Sequence, residues 1–108
     1  MKVNVSSEEI NEFVNKIAKR FKPEKIILFG SYGYGSPKKN SDVDLLIIID
    51  SKKRPVDLAI QIRSEIPAPF PVDLLVRTPE QIEERLSMDD FFIKEIVTRG
   101  KVVYEKDN

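Results

Sequence analysis

The chain contains no cysteine, no histidine and no tryptophan. Without cysteine there is no disulfide framework and no thiolate metal site. Without histidine there is no imidazole base, no Ser-His triad and no histidine-ligated zinc. Any catalysis must run on carboxylates, hydroxyls, Lys, Arg or a bound ion. An excess of one charge is also lacking. Eighteen Lys+Arg stand against eighteen Asp+Glu, a formal net charge of zero, so no long-range positive field gathers nucleic acid or an anionic membrane. Bulk nucleic-acid binding is disfavoured. The longest apolar run, Leu45 to Ile49, is far below a membrane span, and no apolar signal core follows Met1-Lys2. The reading is a cytoplasmic protein with no membrane partner.

What is present is the composition of an ordinary globule: 108 residues, 41% hydrophobic and 33% charged, a length that fits one domain over residues 1–108. Ser6 followed three residues later by Glu9 makes a capping box, and Ile10, Phe13, Val14, Ile17, Ala18 and Phe21 then recur at helical spacing. The pattern predicts a helix over 7–21, ended by Pro23. Lys25 to Phe29 reads as a short buried strand stopped by Gly30. From Gly30 to Ser41, three glycines, a proline, an asparagine and three serines among twelve residues predict a long loop. A second strand over 42–50 is apolar on both pleat faces from Leu45 to Ile49, as expected of a central strand in a covered sheet.

Pro55 opens a helix to about residue 66, with a looser period through Val56, Ala59, Ile60, Ile62 and Ile66. Val72 to Val76 forms a third strand, and Thr78-Pro79-Glu80-Gln81 a second capping box opening a short helix to about Leu86. A further helix spans about 88–99, with Gly100 placed to cap it. Lys101 to Glu105 closes the chain as an edge strand, open to pairing with a second copy. The order α-β-β-α-β-α-α-β, with no repeat or linker, gives an α/β or α+β fold class.

The chemistry gathers at the second strand. Because side chains alternate along a strand, Asp42 and Asp44 project from the same face, roughly 6 to 7 Å apart at their backbones. Two like charges on one sheet face raise the energy of the ionised pair, and a hard divalent cation, Mg²⁺ above all, relieves it. Asp73 supplies a third acid on a strand expected to pair beside the second. Three carboxylates from two strands can hold two Mg²⁺ ions about 3.5 to 4 Å apart, the arrangement that clamps the attacking and leaving oxygens of a phosphoryl displacement. Against this stands a plain role for Asp42 as a turn acid after Asn40-Ser41. Gly30-Ser31 lets backbone approach a phosphate and adds a short hydroxyl, although a Gly-Ser after a strand is most often only a turn. Lys38 and Lys39 either neutralise a triphosphate or are solvated surface. Tyr32 and Tyr34 either stack on a base or pack on the sheet rim.

Taken together, Gly30-Ser31, ten residues, then Asp42-Val43-Asp44, inside the run Ile27 to Gly35, resembles the signature of the polymerase-β-like nucleotidyltransferases, most closely their minimal nucleotidyltransferase (MNT) branch. The lone-acid strand Pro71 to Val76 and the closing Ile96 to Tyr104 are similar to that branch as well, so the resemblance covers nearly the whole chain. It implies the polymerase-β-like fold, a small mixed sheet covered by helices. It also implies that Gly30 and Ser31 hold nucleotide phosphates, that Asp42 and Asp44 bind metal, and that Asp73 completes the site and helps deprotonate the acceptor hydroxyl. One departure stands out: the loop commonly reads Gly-Ser-x-Ala-Arg-Gly, and Tyr34 occupies the arginine position.

At 108 residues the chain has no further domain to grip an acceptor, which implies a partner. Proteins of the MNT type resemble antitoxins encoded beside helical HEPN ribonuclease toxins, some transferring AMP from ATP to a tyrosine of that partner. The expectation is a Mg²⁺-dependent nucleotidyltransferase, ATP its substrate and a HEPN-type toxin its acceptor. The alternative is a non-catalytic antitoxin that neutralises its partner by occlusion, which Tyr34 favours and the full set of acids disfavours.

Overall fold

The computed structural model describes residues 4–38 and 40–107. Helix α1 spans Ser7–Phe21, β1 Lys25–Phe29, α2 Gly30–Gly33, β2 Val43–Ile48, α3 Pro55–Glu65, β3 Val72–Arg77, α4 Pro79–Ser87, α5 Phe91–Arg99 and β4 Lys101–Glu105. Both capping boxes form: Ser6 and Glu9 close the start of α1, Thr78 and Gln81 that of α4. Lys22 adopts a left-handed φ of 53° after α1, and Pro23 prevents the helix from continuing.

The strands form one mixed sheet in the order β3-β2-β1-β4, with β2 inside and β4 at an edge. β1 runs antiparallel to β2 and β4, whereas β2 and β3 run parallel and need the α3 crossover between them. Leu45 to Ile49 is buried throughout, because each face of β2 meets its own layer. On one face Leu45 and Ile47 pack with Phe13, Val14 and Ile17 of α1 and Leu58 and Ile62 of α3. On the other, Leu46 and Ile48 pack with Ile82 of α4 and Ile93 and Ile96 of α5.

Three local expectations are corrected. The glycine-rich segment after β1 is not all loop: Gly30–Gly33 makes one helical turn, with Tyr34 N–H donating to the Gly30 carbonyl at 2.9 Å. Gly33 is tolerated there because a Cβ would strike the Leu28 carbonyl, so the bare residue lets the turn sit on β1. On α3, Leu58 and Ile62 face the core, while Val56 and Ile60 are exposed. The last helix begins at Phe91, after Asp90 caps it by accepting from the Ile93 N–H at 3.1 Å. Gly100 does end that helix, in an extended conformation, and its bareness serves close packing against Ile96 and Ile27.

Leu46→Ala, emptying space at the centre of the α4–α5 face, should cost about 2–5 kcal/mol. Val56→Ala, at a side chain 58% exposed, should stay within about 0.5 kcal/mol. Urea unfolding midpoints measure both.

Candidate active site

On the α4–α5 face, alternation along β2 presents Asp44, Leu46 and Ile48 in turn. The last two lie under helices. Asp44 does not; there the cover gives way to a cleft of about 550 Å³. Strand registers bring the cleft's parts together: parallel pairing sets Asp44 beside Asp73, and antiparallel pairing sets it opposite Phe29, the last residue of β1. The chain then turns at Gly30, whose φ is +67°, and a Cβ there would collide with Asp44 Oδ2. Only glycine meets both demands, so Gly30 leaves room for the carboxylate.

Asp44 is half-buried. Its carboxyl is pushed up from 3.8 to about 6, first by burial, then by the negative charges of Asp73 and Asp42, and by a side-chain hydrogen bond with Asp73. Asp73 is exposed at the sheet edge, 3.9 Å from Arg63 Nη2, which also donates to the Val72 carbonyl at 3.0 Å. Asp42 lies one residue ahead of β2, exposed, and acts on Asp44 through charge. Ser31 sits half-buried in the turn of α2.

The two tyrosines of this turn divide between roles. Tyr32 is buried toward α1 and its hydroxyl accepts the Val5 N–H at 2.9 Å, so it packs rather than stacks on a ligand. Tyr34 lines the cleft. Burial pushes its phenol up from 10.0, and the charge of Glu95 adds to the effect. Lys38 is exposed, with its backbone N–H on Ser41 Oγ at 3.0 Å, and Lys39 lies outside the described residues.

The sequence reading missed what α5 contributes. Phe92 and Glu95 line the cleft, Phe92 packing edge-on against Phe29 at 5.8 Å between ring centroids. Arg99 lies over the Tyr34 ring, its guanidinium carbon 4.4 Å from the centroid. The Glu95–Arg99 spacing of four residues was readable as a helical ion pair. Its meeting with Tyr34, distant in sequence, was not.

The acids suit a hard cation. Every donor is a carboxylate oxygen, and Asp44, its carboxyl raised first by burial and then by the charges of Asp73 and Asp42, has no cation among the causes acting on it, a lack that a dication would make good. Among the described residues no group of three or more Asp, Glu, His or Cys is placed to hold a metal ion, so the expected trio is not drawn together: Asp44 and Asp73 share the cleft, and Asp42 is not among its lining residues. No helix among the described residues is long and apolar enough to cross a membrane.

Residues 8–108 match the family model described as polymerase beta, nucleotidyltransferase. The chain belongs to this nucleotidyltransferase family and is an enzyme of that class. A Methanocaldococcus jannaschii protein, MJ0604, provisionally named a protein adenylyltransferase, is 29% identical over 99 residues, covering 88% of this chain and 94% of that one. Among solved structures, a provisionally assigned nucleotidyltransferase from Sulfolobus solfataricus superposes with a TM-score of 0.64 at 20% identity, over 92% of this chain and 79% of the other. A toxin–antitoxin crystallised with AMP-PNP gives a TM-score of 0.56 at 23% identity, over 90% and 74%. Both share the fold.

Two outcomes follow from the geometry. Asp44 holds a proton in the folded, metal-free protein that the unfolded chain has released, so stability should fall as pH rises through the window from 3.8 to about 6. Urea unfolding in EDTA, compared with Asp44→Asn, should show that slope in the wild type and a flatter one in the variant. Gly30→Ala should cost roughly 1–2 kcal/mol for its left-handed backbone, and more for the collision with Asp44. Gly35→Ala, with φ +85° and nothing within 4 Å of its Cβ, should show the backbone cost alone.

Proposed function

We propose that residues 1–108 act as one minimal nucleotidyltransferase unit that transfers AMP from ATP to a hydroxyl of a protein partner, a tyrosine of a HEPN-type toxin, and so serves as an antitoxin. The observation that carries the reading is the side-by-side register of Asp44 and Asp73 at a cleft bordered by Gly30, with Asp44 short of a counter-charge. The naming of MJ0604 supports protein adenylylation, and the fold shared with a toxin–antitoxin crystallised with AMP-PNP supports both the partner class and the nucleotide.

In this reading Gly30 and Ser31 receive the phosphates, because the absent Cβ admits them close to the backbone and Ser31 adds a hydroxyl. Asp42, Asp44 and Asp73 would hold Mg²⁺, two ions in the full complex, which supplies positive charge against that of the triphosphate. Asp73, exposed at the sheet edge, faces the acceptor and takes its proton. The acceptor oxygen attacks the α-phosphorus in line, a new P–O bond forms, the bond to the bridging oxygen breaks, and pyrophosphate leaves. Asp44, more enclosed, would serve in holding the metal and takes no proton from the acceptor. ATP as the donor fits a cytoplasmic setting.

Occlusion without chemistry is the second reading. Phe91 and Met88, 82% and 64% exposed, favour it, since exposed apolar side chains would seat a partner whether or not transfer occurs.

Incubation with α-labelled ATP, Mg²⁺ and the candidate partner, or a host lysate, distinguishes the two. Label should appear on one protein band and be lost, by at least about a hundredfold, with Asp42→Asn/Asp44→Asn while the complex still forms. A stable complex that never takes label supports occlusion; label persisting in the double variant removes the acids from the mechanism.

A further inference from the structure

A triphosphate entering this cleft meets acids. Asp44, Asp73 and Glu95 line it, and among the described residues no lysine or arginine does. Two arginines stand at its margins. Arg63 lies 3.9 Å from Asp73 and donates to the Val72 carbonyl, so its guanidinium is engaged in fixing the start of β3.

Arg99 is placed differently. It stands at the end of α5, 4.4 Å from the Tyr34 ring centroid, with Nη1 3.0 Å from Glu95 Oε2. Tyr34 and Glu95 both line the cleft, so the side chains that hold Arg99 belong to the site although Arg99 itself lies at the rim. The ring attracts the cation electrostatically, and the guanidinium has five N–H donors, most of them left for a ligand. Its side chain is 58% exposed and paired only at helical (i, i+4) spacing, a weak arrangement that a better anion displaces. Phosphate is such an anion: it takes the same forked geometry as a carboxylate and carries more charge.

We propose that Arg99 binds the phosphates of the leaving pyrophosphate, that Tyr34 is the platform that aims it, and that Glu95 is a stand-in anion released when a nucleoside triphosphate enters. The tyrosine in the turn after β1 then has a reason. An arginine at position 34 would set two cations against each other, whereas the ring of Tyr34 seats the one supplied by α5. Selectivity for triphosphate over monophosphate accordingly gains a contribution from α5, in addition to that of the Gly-Ser turn. This rests on the nucleotidyl-transfer reading above.

The test is calorimetric titration of Mg²⁺·AMP-PNP and of AMP into the wild type, Arg99→Ala, Glu95→Gln and the Arg99→Ala/Glu95→Gln double variant. Arg99→Ala should weaken AMP-PNP by about ten- to a hundredfold and leave AMP unchanged. Glu95→Gln should tighten AMP-PNP, and the double variant should stay weak. If the double variant regains wild-type affinity, the loss came from exposing Glu95 and the proposal is wrong. It is equally wrong if Arg99→Ala binds both nucleotides as the wild type does, or loses both alike. A wild type that binds neither nucleotide removes the nucleotidyl-transfer reading, and this inference with it.

Discussion

Two carboxylates held side by side by the parallel register of β2 and β3 are the constraint around which the rest of the molecule is arranged. Left in water, like charges separate. Here they cannot, because Asp44 is fixed one step along a strand whose next five residues, Leu45 to Ile49, are buried. The apolar core thus does electrostatic work: burial of β2 on both faces keeps Asp44 in place near Asp73 and Asp42, and the result is a carboxyl that holds its proton to about pH 6. The mixed sheet follows from the same requirement. A parallel neighbour puts the starts of β2 and β3 at one end of the sheet, and an antiparallel β1 delivers Gly30 to that end as well.

The fold was largely legible in the sequence, for reasons that can be named. Capping boxes at Ser6 and Thr78 and the apolar stripe from Ile10 to Phe21 are local signals, and the helices they predict begin where expected. The doubly apolar run in β2 correctly announced a central strand. The failures occur where local and tertiary signals disagree. Glycines at 30 and 33 argue against a helix, yet both are required by contacts with Asp44 and with the Leu28 carbonyl. Val56 and Ile60 look like core residues, but the sheet accepts only the Leu58–Ile62 stripe of α3.

At the candidate site, the meeting of Asp44 and Asp73 beside Gly30 could be expected from strand order and spacing, whereas Asp42 falls ahead of β2 and neither it nor Ser31 lines the cleft. The share of α5 could not be expected. Phe92 and Glu95 reach the cleft, and Arg99 its rim, through the packing of Ile93 and Ile96 onto Leu46 and Ile48, a tertiary event with no local mark. Tyr34 illustrates the limit: read alone it is a missing arginine, and read with α5 it is the surface on which an arginine rests.

The burial of β2 between two layers also sets where this molecule can give way. Backbone amides of a strand covered on both faces open at a free energy near that of the whole domain, whereas exposed connections such as residues 35–38 fluctuate at far lower free energy. Asp44 is mounted on the slow part, and the turn that carries Gly30-Ser31 is held to it by the buried Tyr32 and by Gly33 against the Leu28 carbonyl. The cleft is therefore firm on both these sides, and adjustment to an incoming molecule falls to the exposed residues beyond the turn.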